Sequence, residues 1–138
     1  MSAWLGVASA EHVRRGVALG IAQLGHGRRA PLLRLRPGDT LVYYSAQESL
    51  GGPAGLRAFT AIGTVADDVV WQADEGEFRP FRRRVDYLAD ARPVPLAEVR
   101  DRLELTSEPG WGALLRRGLV PLTDDDAAAL AAAMRSAR

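Results

Sequence analysis

From Thr40 to Leu88 the chain offers strand after strand and no helical periodicity, and that run constrains the fold more than any other feature. Thr40 to Ala46 reads as a strand, Phe59 to Val65 alternates cleanly, and Asp67-Asp68 turns the chain into a short strand from Val69 to Gln72. Phe78 to Leu88 reads as a long strand bent near Pro80, with Phe81, Arg83, Val85 and Tyr87 on one face and Arg82, Arg84 and Asp86 on the other. Ahead of this run, residues 3 to 8 form a short apolar strand and Ser9 is placed to cap a helix. Val13, Val17, Ile21 and Leu24 give that helix one apolar stripe over about four turns, with Gly25-His26-Gly27 as its end. Arg28-Arg29-Ala30-Pro31 makes a basic connection, and Arg36-Pro37-Gly38-Asp39 is a tight turn.

Beyond the run, Pro93-Val94-Pro95 introduces a short helix bearing Leu96, Val99 and Leu103. Trp111 to Arg117 supplies another helical turn that stops at Gly118, and Leu119 to Leu122 is a final short strand. Thr123 with Asp126 three residues on is a capping-box-like start for a last helix whose apolar edge is Leu130 and Met134. Strands here neither alternate regularly with helices nor form one unbroken series, so the expected class is α+β: a strongly bent mixed sheet of about five or six strands with flanking helices. No internal repeat or composition break divides the 138 residues, so one domain over 1–138 is expected.

Cysteine is absent, which removes disulfides and thiolate chemistry together. His12 and His26 lack carboxylates at a spacing that would complete a ligand set, so neither a metal nor a cofactor is expected. The N-terminal segment is interrupted early by Glu11, His12, Arg14 and Arg15, and no run of about 18 apolar residues occurs, so the expectation is a soluble cytoplasmic protein without a membrane partner. Net charge is +1, but all 18 basic residues are arginine and many are grouped, as at Arg28-Arg29, Arg82-Arg83-Arg84 and Arg116-Arg117. A GC-rich coding sequence yields such a composition by itself; a phosphate-facing side is the functional reading.

Nucleophilic catalysis finds little material. Ser9-x-x-His12 is the one serine–histidine pair at useful spacing, and capping alone accounts for Ser9. No Gly-x-Ser-x-Gly elbow and no phosphate-binding loop is present. What the chain does hold is aromatic walls with amide, hydroxyl and guanidinium groups near them, the materials of a cage for a flat heteroaromatic ring. Tyr43 and Tyr44 are strand neighbours and point to opposite faces, so only one can join a given cage.

In order along the chain, Trp4, Ser9-x-x-His12, Gly16-x-x-x-Gly20-x-x-Gln23, His26-Gly27-Arg28, Pro37-Gly38-Asp39 and Tyr43-Tyr44-Ser45 resemble the EVE domain family. So do Phe59-Thr60-Ala61-Ile62-Gly63-x-Val65, Phe78-x-Pro80-x-Arg82-Arg83-x-Val85-x-Tyr87, and Trp111-Gly112-x-x-x-Arg116-x-Gly118. Arg28 stands where lysine is usual, and the last helix is unusually alanine-rich. The resemblance implies a PUA-like pseudobarrel related to the YTH and SRA domains, and a non-catalytic reader of a modified base of the 5-methylcytosine or 5-hydroxymethylcytosine class. The expected pocket residues are Trp4, Ser9, Tyr44, Ser45 and Trp111, with His12, Gln23 and Arg116 as polar partners and Trp71 as a structural residue. Arg28, Arg29, Arg82 and Arg83 are the expected backbone contacts of a DNA or RNA partner, whose consequence would come through a separate effector protein. An RNA-binding PUA-like module is the alternative within the same class. A small enzyme acting on a nucleobase or nucleoside, with Ser9 and His12 at work, is the alternative outside it.

Overall fold

A computed structural model describes residues 1–135 of the chain. The strands are β1 (Ala3–Val7), β2 (Ile21–Ala22), β3 (Thr40–Ser45), β4 (Ala58–Gln72), β5 (Phe81–Tyr87), β6 (Val94–Pro95) and β7 (Leu119–Leu122). The α-helices are α1 (Ala10–Leu19), α2 (Arg29–Leu33), α3 (Leu96–Val99), α4 (Trp111–Leu114) and α5 (Asp124–Arg135). All seven strands join one mixed sheet in the order β2-β5-β4-β3-β1-β7, with β6 paired to β4. Among the described residues only the β1–β3 pair is parallel. The class is the expected α+β, with a bent mixed sheet of seven strands rather than five or six; the two-residue β2 and β6 are too short to leave an alternation signal.

β4 holds the sheet together. Its 15 residues pair with β3, β5 and β6, and its register against β5 shifts between Val65 and Val70. Asp67 and Asp68 lie in that shift, so they bend a continuous strand where a turn and a separate strand were expected. Gly63 stands at the crossing with β5. A Cβ there would meet the Asp86 carbonyl oxygen and Val85 Cγ1, both at 2.7 Å.

Each sheet face buries its own cluster. Val42 and Tyr44 of β3 enter one with Leu5, Phe59, Val99, Leu130 and Met134, while Leu41 and Tyr43 enter the other with Val13, Leu24, Leu35, Val65 and Val85. Strand alternation thus delivers neighbouring tyrosines to opposite cores. β5 alternates as expected, but begins at Phe81 because residues 73–80 form a hairpin closed by Ala73 N–H to the Pro80 carbonyl at 2.8 Å.

The first helix is shorter than its stripe suggests. Gly20, left-handed at φ 70°, caps α1 and donates to the Gly16 and Val17 carbonyls. Ile21 therefore lies in β2 and Leu24 beyond it, buried by the sheet and its neighbours rather than by the helix, and Val17 is exposed. Ser9 does cap α1, its Oγ accepting from His12 N–H at 3.3 Å. Part of the basic connection is α2, with Arg28 at its N-cap.

At the start of α5, Thr123 Oγ1 accepts from Asp126 N–H at 3.1 Å. Asp126 does not return the bond as a capping box requires. Its buried carboxylate instead accepts from the Glu104 and Leu105 amides at 2.8 and 2.9 Å, docking the helix on the 3-10 turn Leu105–Ser107. Among the described residues no helix is long and apolar enough to cross a membrane.

Candidate functional site

A cleft opens between α1, β2 and the edge of β5. α1 contributes His12, Arg15, Gly16 and Leu19, successive positions on one helix face; Ile21 and Gln23 form a wall, Tyr43 is buried behind them, and Arg82 closes the far side. The Tyr43 hydroxyl donates to the Gln23 carbonyl at 3.2 Å, and the Tyr87 hydroxyl to the Ile21 carbonyl at 2.8 Å. Burial pushes both phenols well above their ordinary range, so they serve as neutral hydrogen-bonding groups.

His12 is half-buried in the wall. Burial lowers its pKa, its hydrogen bond to the Gln23 carbonyl opposes that shift, and the charges of Arg15 and Arg82 add to the lowering. At neutral pH it is an uncharged imidazole, with one ring nitrogen donating and the other able to accept. Gln23 Oε1 accepts from Arg82 Nε at 2.5 Å. Arg82 Nη2 also donates to Glu75 Oε2 at 2.7 Å, and the same oxygen accepts from Arg15 Nη2. These contacts close the cleft to a cavity of about 20 Å³, room for one water.

The expected residues divide among several places. His12, Gln23 and Arg82 are together in the cleft. Tyr44 is on the opposite sheet face, edge-on to Phe59 at 5.2 Å and to Trp111 at 6.5 Å between ring centroids. Ser45 is buried with its Oγ 2.8 Å from Thr60 Oγ1. Trp4 borders a separate groove of about 450 Å³ with Arg34, Arg36 and Pro37; its indole N–H donates to Asp39 Oδ2 at 3.0 Å and the Arg34 guanidinium lies 4.8 Å above its ring. A cage shared by Trp4, Tyr44 and Trp111 is therefore not formed, because pleat alternation sends Tyr44 away from the α1 side and Asp39 anchors Trp4. Ser9 is engaged as a helix cap.

Among the basic residues, Arg28, Arg29 and Arg116 are exposed. Arg83 is not a surface residue: at 1% exposure its guanidinium donates to the Leu32, Leu35 and Asp67 carbonyls and to Asp68 Oδ1. That guanidinium fastens α2 and the β4 bend to β5, which removes Arg83 from the expected backbone contacts. Sequence reasoning missed Arg15, Leu19, Tyr43 and Glu75. Arg15 and Leu19 lie three and seven positions after His12 on the same helix face, a signal that was present. Nothing local indicates that Glu75, in an acidic loop, reaches a helix 60 residues earlier.

The EVE domain family model matches residues 2–133. A UPF0310 protein of Renibacterium salmoninarum is 47% identical over 133 residues, covering 96% of this chain and 95% of its own. One of Mesorhizobium japonicum is 48% identical over 135 residues, covering 95% and 90%. Among solved structures, a hypothetical protein from Leishmania major has a TM-score of 0.67 at 11% identity, over 96% of this chain and 93% of that one. Human THYN1, solved in complex with 5-methylcytosine-containing DNA, has a TM-score of 0.59 at 12% identity over 99% of each chain. At these identities the two structures share the fold.

Proposed function

The chain belongs to the EVE domain family, and from that premise we propose that it binds nucleic acid and reads a modified base, of the 5-methylcytosine or 5-hydroxymethylcytosine class, in the cleft beside α1. The observation that carries this reading is the convergence of neutral His12, Gln23 and Arg82 in front of buried Tyr43. Imidazole, amide and guanidinium supply donors and acceptors in the number that a base edge requires. The DNA complex of the fold neighbour THYN1 agrees with a nucleic-acid ligand. No bond-breaking step is assigned to any of these groups; the role is recognition, through a partner of separate effect.

Entry of a base requires the Arg82–Gln23 and Arg82–Glu75 contacts to part, since the closed cleft holds only a water. Extrusion of the base from a duplex costs a few kcal/mol, offset by ring contacts and edge hydrogen bonds. A methyl group that fills an apolar niche adds about 1 kcal/mol, so discrimination of roughly fivefold is expected from that group alone. Exposed Arg28 and Arg29 are the backbone contacts in this reading, with Trp4, Ser9, Tyr44, Ser45, Trp111 and Arg116 outside the base-contacting set.

Fluorescence anisotropy with labelled oligonucleotides tests it. Matched DNA and RNA carrying cytosine, 5-methylcytosine, 5-hydroxymethylcytosine or N6-methyladenine are titrated at two salt concentrations. Tighter binding of a modified-cytosine strand, lost in Gln23→Ala, is the expected result. Equal affinity for every base, or a preference unmoved by Gln23→Ala, overturns the assignment. Preference for RNA regardless of modification selects the RNA-binding alternative, and product release from a nucleoside panel selects an enzyme.

A further inference from the structure

Two arginines from distant parts of the chain converge on one oxygen at the mouth of the cleft. Arg15 on α1 and Arg82 on β5 both donate to Glu75 Oε2, and Arg82 is only 13% exposed while Arg15 is 63% exposed. Glu75 comes from neither element. It sits on the hairpin 73–80, whose backbone is closed by Glu75 N–H to the Phe78 carbonyl at 2.9 Å and whose tip turns at Gly76 with φ 80°. Phe81 N–H donates to the Gly27 carbonyl at 2.8 Å, so the base of the hairpin is fixed and its carboxylate is aimed at the arginine pair.

Two guanidiniums facing one point repel unless an anion stands between them. A carboxylate oxygen shared by both is the arrangement a phosphate oxygen adopts between paired arginines. The Arg15 pair is exposed and contributes little to stability, while the Arg82 pair is largely covered; an incoming anion that takes the carboxylate's place leaves neither guanidinium unpaired, so the exchange swaps one charge-assisted contact for another. We infer that Arg15 and Arg82 form a phosphodiester site at the cleft mouth, and that Glu75 occupies this site as an internal phosphate mimic until nucleic acid displaces it. The inference rests on the base-reading cleft for the position of the phosphate, next to the bound nucleotide, but the anion site itself can be measured without any base. Displacing Glu75 also frees one of the two contacts that hold Arg82 across the cleft, so phosphate capture and cleft opening become one event.

The test uses Glu75→Gln, which keeps the size and shape of a partly covered side chain, Arg15→Ala at an exposed helix position, and the double variant. Thermal melts in inorganic phosphate and in chloride at matched ionic strength form the first arm. Glu75→Gln should gain a phosphate-specific rise in Tm that the double variant lacks; no phosphate-specific difference between them overturns the site. The second arm measures affinity for oligonucleotides, where Glu75→Gln should bind about 3- to 10-fold tighter, the scale of about one weak ion pair. Adding Arg15→Ala should remove the gain and reduce the salt slope by about one. A neutral methylphosphonate beside the modified base should abolish the gain, which separates a strand phosphate from a free ion. If strands bind with equal affinity whatever their base and Glu75→Gln tightens all of them, the anion site stands and the base reading falls. If modified strands are preferred but Glu75→Gln changes neither affinity nor phosphate response, the base reading stands and the anion site falls.

Discussion

Arg83 shows how a residue type can mislead while its position informs. Alternation along β5 puts it on the inward face with Val85, and the fold accepts a charge there because three backbone carbonyls and Asp68 surround it. Arg83→Ala leaves those carbonyls unpaired in a cavity, so a loss of about 3–5 kcal/mol is expected in chemical denaturation, against almost none for exposed Arg29→Ala. His12 was legible as a candidate-site residue from the Ser9-x-x-His12 motif, the cleft beside α1 holds it, and its titration is a further check. Its folded pKa is below the ordinary value of about 6.5, so the unfolded chain binds the proton first. Its contribution to stability is complete above that value, declines as pH falls below it and levels off once the folded pKa is passed. The decline measured by denaturation should be absent in His12→Gln. Glu75 could not be read from sequence, because its meaning depends on arginines that only the fold brings near.

Among the elements, those fixed by local chemistry were legible and those fixed by partners were not. The Ser9 cap, the β3 strand and the Gly118 stop depend on neighbouring residues and stand as expected. The first helix was overextended because Ile21 and Leu24 fit its stripe by coincidence; pairing of β2 with β5 decides that segment instead. Asp126 looked like half of a capping box, yet its carboxylate serves another element. Asp126→Ala orphans the Glu104 and Leu105 amides, and a loss of about 2–4 kcal/mol is expected in equilibrium unfolding, with amide exchange of Leu105 accelerated beyond the global change. Asp124→Ala, on an outward position of the same turn, serves as the control.

At the scale of the molecule, one sheet separates two cores, and the three tryptophans are distributed around it. Trp4 is tied to Asp39, Trp111 lies against Tyr44 on the far face, and Trp71 is the cross-strand neighbour of Arg82. The family was legible because its motifs occur in order; the cage was not, because a motif does not state which sheet face its aromatic residue takes. The placement of the indoles makes the domain its own optical recorder, with channels that can be separated by substitution. Movement of the Arg82 guanidinium alters the field felt by Trp71 and leaves the other two environments in place. Oligonucleotide binding should therefore shift an emission component that disappears in Trp71→Phe and survives in Trp4→Phe and Trp111→Phe. A signal that vanishes with Trp111 instead would locate the ligand on the other face of the sheet.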